Sequence, residues 1–194
     1  MEFNSLTDVL AEDLADLYSA EQQLLAGLPR LAAAAHSYPL RDALEAHVEE
    51  TRVHVQRLDE IFADMGIRFT PSKTCKAMEG LIAEGDDIAG SGGDPAALDA
   101  ALIGAAQRIE HYEIALYGTA RALAGELGLK AVSSLLDQTL DEEARADKTL
   151  TKLAAGGMMS SGINRIAAER PHPAEEADES AEQEAALEEA RTTD

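Results

Sequence analysis

Acidic and imidazole side chains interrupt the middle of four leucine-rich helical patterns in this 194-residue chain. Apolar residues spaced three and four apart predict a helix face that packs in a bundle. Along the chain, the first pattern is interrupted by Glu21, the second by His47, Glu50 and His54, the third by Glu113 and the fourth by Glu143. A carboxylate buried alone is costly, so positive charge is needed beside it. Because the midpoints of antiparallel helices meet at one height, these residues predict a buried metal site.

Three of the patterns offer a second ligand one helical turn away, since residues three or four apart share a face. The pairs are Glu50 with His54, Glu110 with Glu113, and Glu143 with Asp147. Carboxylates with imidazole suit iron or manganese, and bridging carboxylates suit two ions roughly 3.5–4 Å apart. Zinc would accept the same residues, but less distinctively. We therefore predict two iron or manganese ions held by Glu21, Glu50, His54, Glu110, Glu113, Glu143 and Asp147.

Within this set Glu50 and Glu143 are the predicted bridges, and His47 is the alternative imidazole ligand. Further polar residues are assigned around the site. Tyr18 and Tyr112 are predicted hydrogen-bond donors to the ligands. Paired glutamates on a helix usually form a solvated face, so Glu49 and Glu142 are placed there.

An internal repeat supports the site. Residues 49–54 match residues 142–147, so that Glu143 follows Glu50 by 93 residues, and Glu113 follows Glu21 by 92. Two copies of one helical hairpin would supply one metal position each.

The apolar spacing predicts four long helices, over 5–35, 39–65, 96–126 and 129–155. Ser5 or Thr7 is the expected cap of the first helix, and Asp94 before Pro95 that of the third. The long stretch 66–95 is predicted to be a crossover that contains a short helix. Two short loops and one long crossover indicate an all-α, ferritin-like four-helix bundle in which the second and third long helices run parallel.

Composition limits the remaining possibilities. Residues 1–156 are the predicted bundle, and residues 157–194 a predicted disordered acidic tail. A formal charge of −21 disfavours binding to nucleic acid or anionic membranes. No apolar run is long enough to span a membrane, no leader segment is recognised, and Cys75 is the single cysteine, so we expect a cytoplasmic protein.

Five segments carry a family resemblance: LYSAEQQL at 17–24, HVEET at 47–51, CKAMEGLI at 75–82, DAALI at 99–103 and EHYEIA at 110–115. Over residues 5–155 the chain resembles the YciE/YciF family of bacterial ferritin-like stress proteins. The resemblance implies a cytoplasmic homodimer, induced by salt, osmotic or general stress, with a di-metal centre. More distantly, Glu110 with Glu113 and Glu143 with Asp147 resemble the rubrerythrin ligand pattern, which has histidine where this chain has Asp147.

Three functions are compatible with these features. The first is a di-iron or di-manganese oxidoreductase that acts on peroxide or oxygen. The second is an iron-sequestering protein without turnover, and the third a metal-free interaction module. The chain has no cysteine pairs of the rubredoxin type, so an electron donor would have to be a separate molecule.

Overall fold

The structure, a computed structural model, describes residues 2–66, 73–157 and 160–170. In chain order the elements are α1 (Leu6–Ala34), α2 (Tyr38–Asp64), α3 (Lys76–Ala89), α4 (Pro95–Glu126), α5 (Lys130–Ala155), β1 (Gly156–Gly157), β2 (Ser160–Ser161) and α6 (Ile163–Ala168). Helices α1, α2, α4 and α5 form the predicted bundle, with α3 in the crossover. The all-α, ferritin-like prediction is confirmed.

Local signals in the sequence set the helix ends. The Ser5 hydroxyl accepts a hydrogen bond from the backbone N–H of Asp8, and the Asp94 carboxylate accepts from the N–H groups of Ala96 and Ala97. These side chains satisfy amides that lack a partner within the helix. Gly156 follows α5 with φ of 76°, a left-handed conformation that glycine adopts without strain.

A buried carboxylate reports the relative direction of α2 and α4. Asp99, near the start of α4, accepts hydrogen bonds from the backbone N–H groups of His36 (2.8 Å) and Ser37 (2.7 Å), at the start of α2. Both helices therefore begin at the same end of the bundle. At mid-height Tyr117 of α4 contacts Glu21 of α1, so α4 runs antiparallel to α1 and parallel to α2.

The crossover helix α3 packs against α1 and α4. Two glycines let it approach α1 closely. A Cβ atom on Gly27 would lie 3.2 Å from Ile82, and one on Gly85 would lie 3.1 Å from Leu31. Just before α3, the Ser19 hydroxyl accepts a hydrogen bond from the N–H of Cys75. The crossover is thus fixed to the bundle near the height at which α1 carries Glu21.

The bundle interior consists of two apolar clusters. Leu10, Leu14 and Leu17 of α1 belong to one, and Leu24 and Leu28 to the other. The polar residues that interrupt the leucine patterns lie between the clusters. This arrangement follows from the sequence, because each pattern is apolar on both sides of its interruption.

The packed part of the chain extends past residue 156, where the bundle was predicted to end. The two short strands form an antiparallel pair, α6 packs against α4 and α5, and Ile163 is buried. Residues 171–194, which make up most of the predicted disordered tail, lie outside the described residues. None of the described helices is long and apolar enough to cross a membrane.

Asp99 generates a stability prediction. Its carboxylate is buried and satisfies two backbone N–H groups, so Asp99→Ala should lower the free energy of unfolding by about 2–4 kcal/mol. Urea denaturation followed by far-UV circular dichroism measures this. Asp42→Ala, which removes an exposed carboxylate near the start of α2, is the control. Equal effects of the two changes would contradict a capping role for Asp99.

Candidate metal centre

Six ionisable side chains meet at the middle height of the bundle, and we call them the central cluster. Each of the four long helices contributes at least one, and none is more than 4% exposed to solvent. The members are Glu21 of α1, His47 and His54 of α2, Glu110 and Glu113 of α4, and Glu143 of α5.

The central cluster divides into two sets of potential metal ligands that share Glu143. In one set, single ligand atoms of His47, Glu110, Glu113 and Glu143 all lie within 4.8 Å of one another; in the other, those of Glu21, His54 and Glu143 do.

Distances within the sets are short. His47 Nε2 is 3.3 Å from Glu110 Oε1, and His54 Nδ1 is 2.9 Å from Glu143 Oε1. Each set could hold a metal ion, and the shared Glu143 makes the two sets adjoin.

Most of the cluster's buried polar atoms lack a hydrogen-bond partner. Eleven buried side-chain nitrogen and oxygen atoms are unsatisfied among the described residues, and all but Asp13 Oδ2 and Arg41 Nε lie in this layer. They are Glu21 Oε2, His47 Nε2, Thr51 Oγ1, His54 Nδ1, Glu110 Oε2, and both carboxylate oxygens of Glu113 and Glu143. His47 Nε2, His54 Nδ1 and the two Glu143 oxygens nevertheless lie within 3.6 Å of an oppositely charged side chain. Native proteins rarely leave the remaining kind of buried polar atom unpaired. These donor atoms fit metal ions.

Burial and mutual repulsion raise the pKa values of two carboxyl groups in the central cluster, Glu110 and Glu113. Burial raises the pKa of Glu113 well above its usual range, and the charges of Glu21, Glu143 and Glu110 raise it further. The pKa of Glu110 is also well raised, by burial and by Glu143, despite the opposing charge of His47. Without metal, the cluster therefore retains protons that exposed carboxyl groups would lose.

The pKa values of the two imidazoles are raised, although burial alone would lower them. Burial lowers the pKa of His54, but Glu143 and Glu21 outweigh it and raise the pKa to about 10. Likewise, burial lowers the pKa of His47, while Glu110, Glu50 and Glu143 raise it to about 9. In the metal-free protein these cations replace part of the missing positive charge.

A second layer of polar residues holds His54 from outside. Its Nε2 lies 3.0 Å from Glu142 Oε2, and Arg57 donates to the same oxygen at 2.7 Å and to Thr139 Oγ1 at 2.5 Å. The assignment of Glu142 to a solvated face was therefore wrong. A carboxylate behind a histidine fixes the ring orientation and leaves the other nitrogen, Nδ1, directed at the cluster.

The tyrosine that reaches the cluster is Tyr117. Its hydroxyl donates to Glu21 Oε1 at 2.5 Å, and its side chain is 1% exposed. The two tyrosines named from the sequence have other contacts: Tyr112 hydrogen-bonds to Cys75 Sγ at 2.9 Å, and the Tyr18 ring packs edge-on against Phe62. Tyr117 lies four residues after Glu113, a spacing that shares a helix face and could have revealed it.

Five of the seven predicted ligands lie together in the central cluster: Glu21, His54, Glu110, Glu113 and Glu143. His47, the alternative imidazole, joins them, so the structure brings both histidines to the site. Glu50 and Asp147 lie outside the ligand sets.

The neighbours of the two outlying residues explain their positions. The Glu50 side chain is 47% exposed, with its Oε2 3.4 Å from His47 Nδ1, the nitrogen that faces away from Glu110. On a helix, Glu50 is rotated by roughly 60° from His47, which places it at the edge of the buried face. Asp147 accepts a hydrogen bond from Gln107 and lies 3.2 Å from His111, at the contact between α4 and α5.

The raised histidine pKa values predict how the stability of the metal-free protein depends on pH. The folded protein holds the His47 and His54 protons up to pH of about 9 and 10, whereas the unfolded chain releases them near 6.5. Their stabilisation is full below pH 6.5 and is lost as the pH rises through the folded pKa values. The free energy of unfolding, measured by urea denaturation in chelator, should fall across this window.

Two variants separate the cluster from other titrating groups. His47→Gln should flatten the decline, whereas His111→Gln, at a side chain that is 68% exposed and lies outside the ligand sets, should preserve it. A free energy of unfolding that rises with pH over this window would contradict the proposed charge states.

Known proteins share this fold and this sequence pattern. Residues 5–164 match a family model described as a domain of unknown function, DUF892. Protein YciF of Escherichia coli K12 is 40% identical over 165 residues, which cover 85% of this chain and 99% of that protein.

Solved structures show the same similarity. The crystal structure of the E. coli stress protein YciF superposes with a TM-score of 0.76 at 41% identity, covering 78% of this chain and 95% of that one. The structure of YcfI from Rhodopseudomonas palustris superposes with a TM-score of 0.75 at 39% identity, covering 79% of this chain and 97% of that one. A Xanthomonas campestris protein shares the fold, with a TM-score of 0.60 at 21% identity, covering 76% of this chain and 88% of that one. The resemblance predicted from the sequence is confirmed: this chain belongs to the DUF892 family, together with YciF.

Proposed function

We propose that the central cluster binds two divalent iron or manganese ions and that the protein uses them to react with peroxide or oxygen during stress. The observation that carries the proposal is the layer of buried, unsatisfied ligand atoms contributed by four helices. Without metal the layer is held only by ion pairs with the two histidines and by retained protons, and the polar atoms that stay unpaired reduce stability.

Charge balance is compatible with two ions. The four carboxylates of the cluster carry four negative charges when ionised, and two divalent cations neutralise them if both imidazoles are neutral. With one divalent ion, retained protons would have to balance the other two negative charges, because unbalanced charges in an apolar interior carry a large desolvation cost. Ion binding should therefore displace the protons that the metal-free cluster retains.

The donor set favours iron or manganese. Carboxylates dominate it, with one imidazole in each ligand set and no thiolate. Oxygen-rich sets with some imidazole suit these ions, whereas thiolate-rich sets are typical of structural zinc. His47 and Glu110 would hold one ion, Glu21 and His54 the other, and Glu143 would lie between them, close to Glu113.

Bound iron or manganese would supply redox chemistry toward peroxide or oxygen. The residues around the cluster keep the site oriented and shield it from the ends of the bundle. Tyr117 holds the Glu21 carboxylate by a short hydrogen bond, and Glu142 with Arg57 holds His54. The apolar clusters on both sides exclude bulk water. The proposed stress role follows from the likeness to E. coli YciF, whose structure is described as that of a stress protein.

Metal analysis tests the proposal directly. Protein prepared without chelator should contain about two iron or manganese ions per chain. The double variant Glu113→Gln, Glu143→Gln should bind fewer than one and should fail to consume peroxide when wild-type protein does. Its metal-free form should unfold at a lower urea concentration than metal-free wild type, because Glu143 is the ionised partner of the buried His54 and His47.

The control is the double variant Glu49→Gln, Glu79→Gln, which removes two exposed carboxylates outside the central cluster. It should bind metal as wild type does. Normal metal binding by the Glu113, Glu143 variant would contradict the proposal. Two bound ions without peroxide or oxygen consumption would favour iron sequestration instead.

The outer carboxylate gives a separate prediction. Glu142→Gln keeps the shape of the side chain but removes the charge that faces His54 Nε2. Loss of such a partner typically weakens metal binding by about 10–100-fold. Competition titrations with a metal-binding dye measure the affinity. Asp141→Asn, at the exposed neighbouring position, should leave it unchanged, and equal affinities for both variants would rule out this role of Glu142.

A further inference from the structure

A pocket of about 260 Å³ lies between α2 and α5 and reaches the central cluster. Small side chains line it, among them Ala43 and Ala46 of α2 and Ala146 of α5. Its inner part is formed by two buried cluster members, His47 and Glu110. Its exposed lining includes Glu50 and Arg145.

The ligand atoms along this pocket form a continuous series from the surface inward. Glu50 Oε2 is 3.4 Å from His47 Nδ1, and on the other side of the ring His47 Nε2 is 3.3 Å from Glu110 Oε1. Both His47 Nε2 and Glu110 Oε2 are buried without a hydrogen-bond partner. The His47 ring thus stands between a half-exposed carboxylate and the buried ligands.

We infer that divalent cations reach the central cluster through this pocket, and that Glu50 and His47 Nδ1 form a transient site at which an arriving cation first binds, displacing the proton of His47 Nδ1 into the solvent. The inference rests on the proposed function, since it requires that the cluster bind metal. It gives Glu50 a role in metal uptake in place of the bridging role predicted from the sequence.

The charges near the pocket favour a cation. The protein carries a formal charge of −21, and Glu50 adds a half-exposed carboxylate within the pocket lining. Arg145 adds a positive charge to the same lining, and its neighbour Glu142, 3.8 Å away, also pairs with Arg57 and His54. The attraction for a cation therefore comes from Glu50 and from the net charge of the whole protein, and salt weakens it.

The first test obstructs the pocket. Ala146→Leu should slow uptake of cobalt(II) by the metal-free protein by about tenfold. The larger side chain would fill the pocket, and an ion could then pass only when the packed side chains move apart. Stopped-flow visible absorption follows the uptake, and the final amount bound should equal that of wild type. Ala144→Leu is the matched control, on the same helix at a partly buried position outside the pocket lining, and it should load at the wild-type rate.

The second test removes the outer charge. Glu50→Gln should slow cobalt(II) uptake by about tenfold at low salt and less at high salt, again with an unchanged final amount. Glu49→Gln makes the same change in net charge at the neighbouring position, outside the pocket lining, and should have little effect.

The outcomes separate the route from the function. If the wild-type protein takes up cobalt(II), and Ala146→Leu and Glu50→Gln both take it up at the wild-type rate, the proposed route is wrong but the proposed metal centre is not affected. A reduced final amount in Glu50→Gln, at an unchanged rate, would make Glu50 a ligand of the loaded centre and would also overturn its transient role. Failure of wild-type protein to bind any cobalt(II), iron(II) or manganese(II) would overturn both proposals.

Discussion

The structure depends on how the bundle tolerates four carboxylates and two imidazoles at its centre. Burial disfavours every charge there, and Glu143 and Glu21 raise the pKa values of Glu110 and Glu113. The metal-free protein limits this cost with protons: both histidines hold theirs to unusually high pH, and Glu110 and Glu113 retain theirs as well. Two divalent ions would replace these protons and neutralise the same charge, so metal loading and folding stability are linked.

Glu143 is the residue on which the two halves of the centre meet. It belongs to both ligand sets, and it alone among the clustered carboxylates has a lowered pKa: burial raises it, but His54 and His47 outweigh that effect. The apolar clusters above and below isolate the polar layer from the ends of the bundle. The outer residues Glu142 and Tyr117 then hold His54 and Glu21 of the cluster. Helix packing and the proposed metal binding thus depend on the same few positions.

The sequence predicted most of the fold because helix periodicity is a local property. The four long helices, the crossover helix and the capping roles of Ser5 and Asp94 all follow from spacing and composition within short segments. Five of the seven predicted ligand residues lie in the central cluster, as the same periodicity indicated. Glu50 does not, because a residue three positions from a buried one can lie at the edge of the face, and only packing decides whether it points inward.

Contacts between distant segments account for the other differences. Arg57 and Glu142 are 85 residues apart, and no local pattern joins them.

Anomalous diffraction from crystals grown with manganese(II) tests most directly whether the central cluster binds two ions. We expect two peaks about 3.5–4 Å apart on either side of Glu143, one beside His47 and Glu110 and the other beside Glu21 and His54. The absence of peaks there, or peaks only at surface carboxylates, would contradict it.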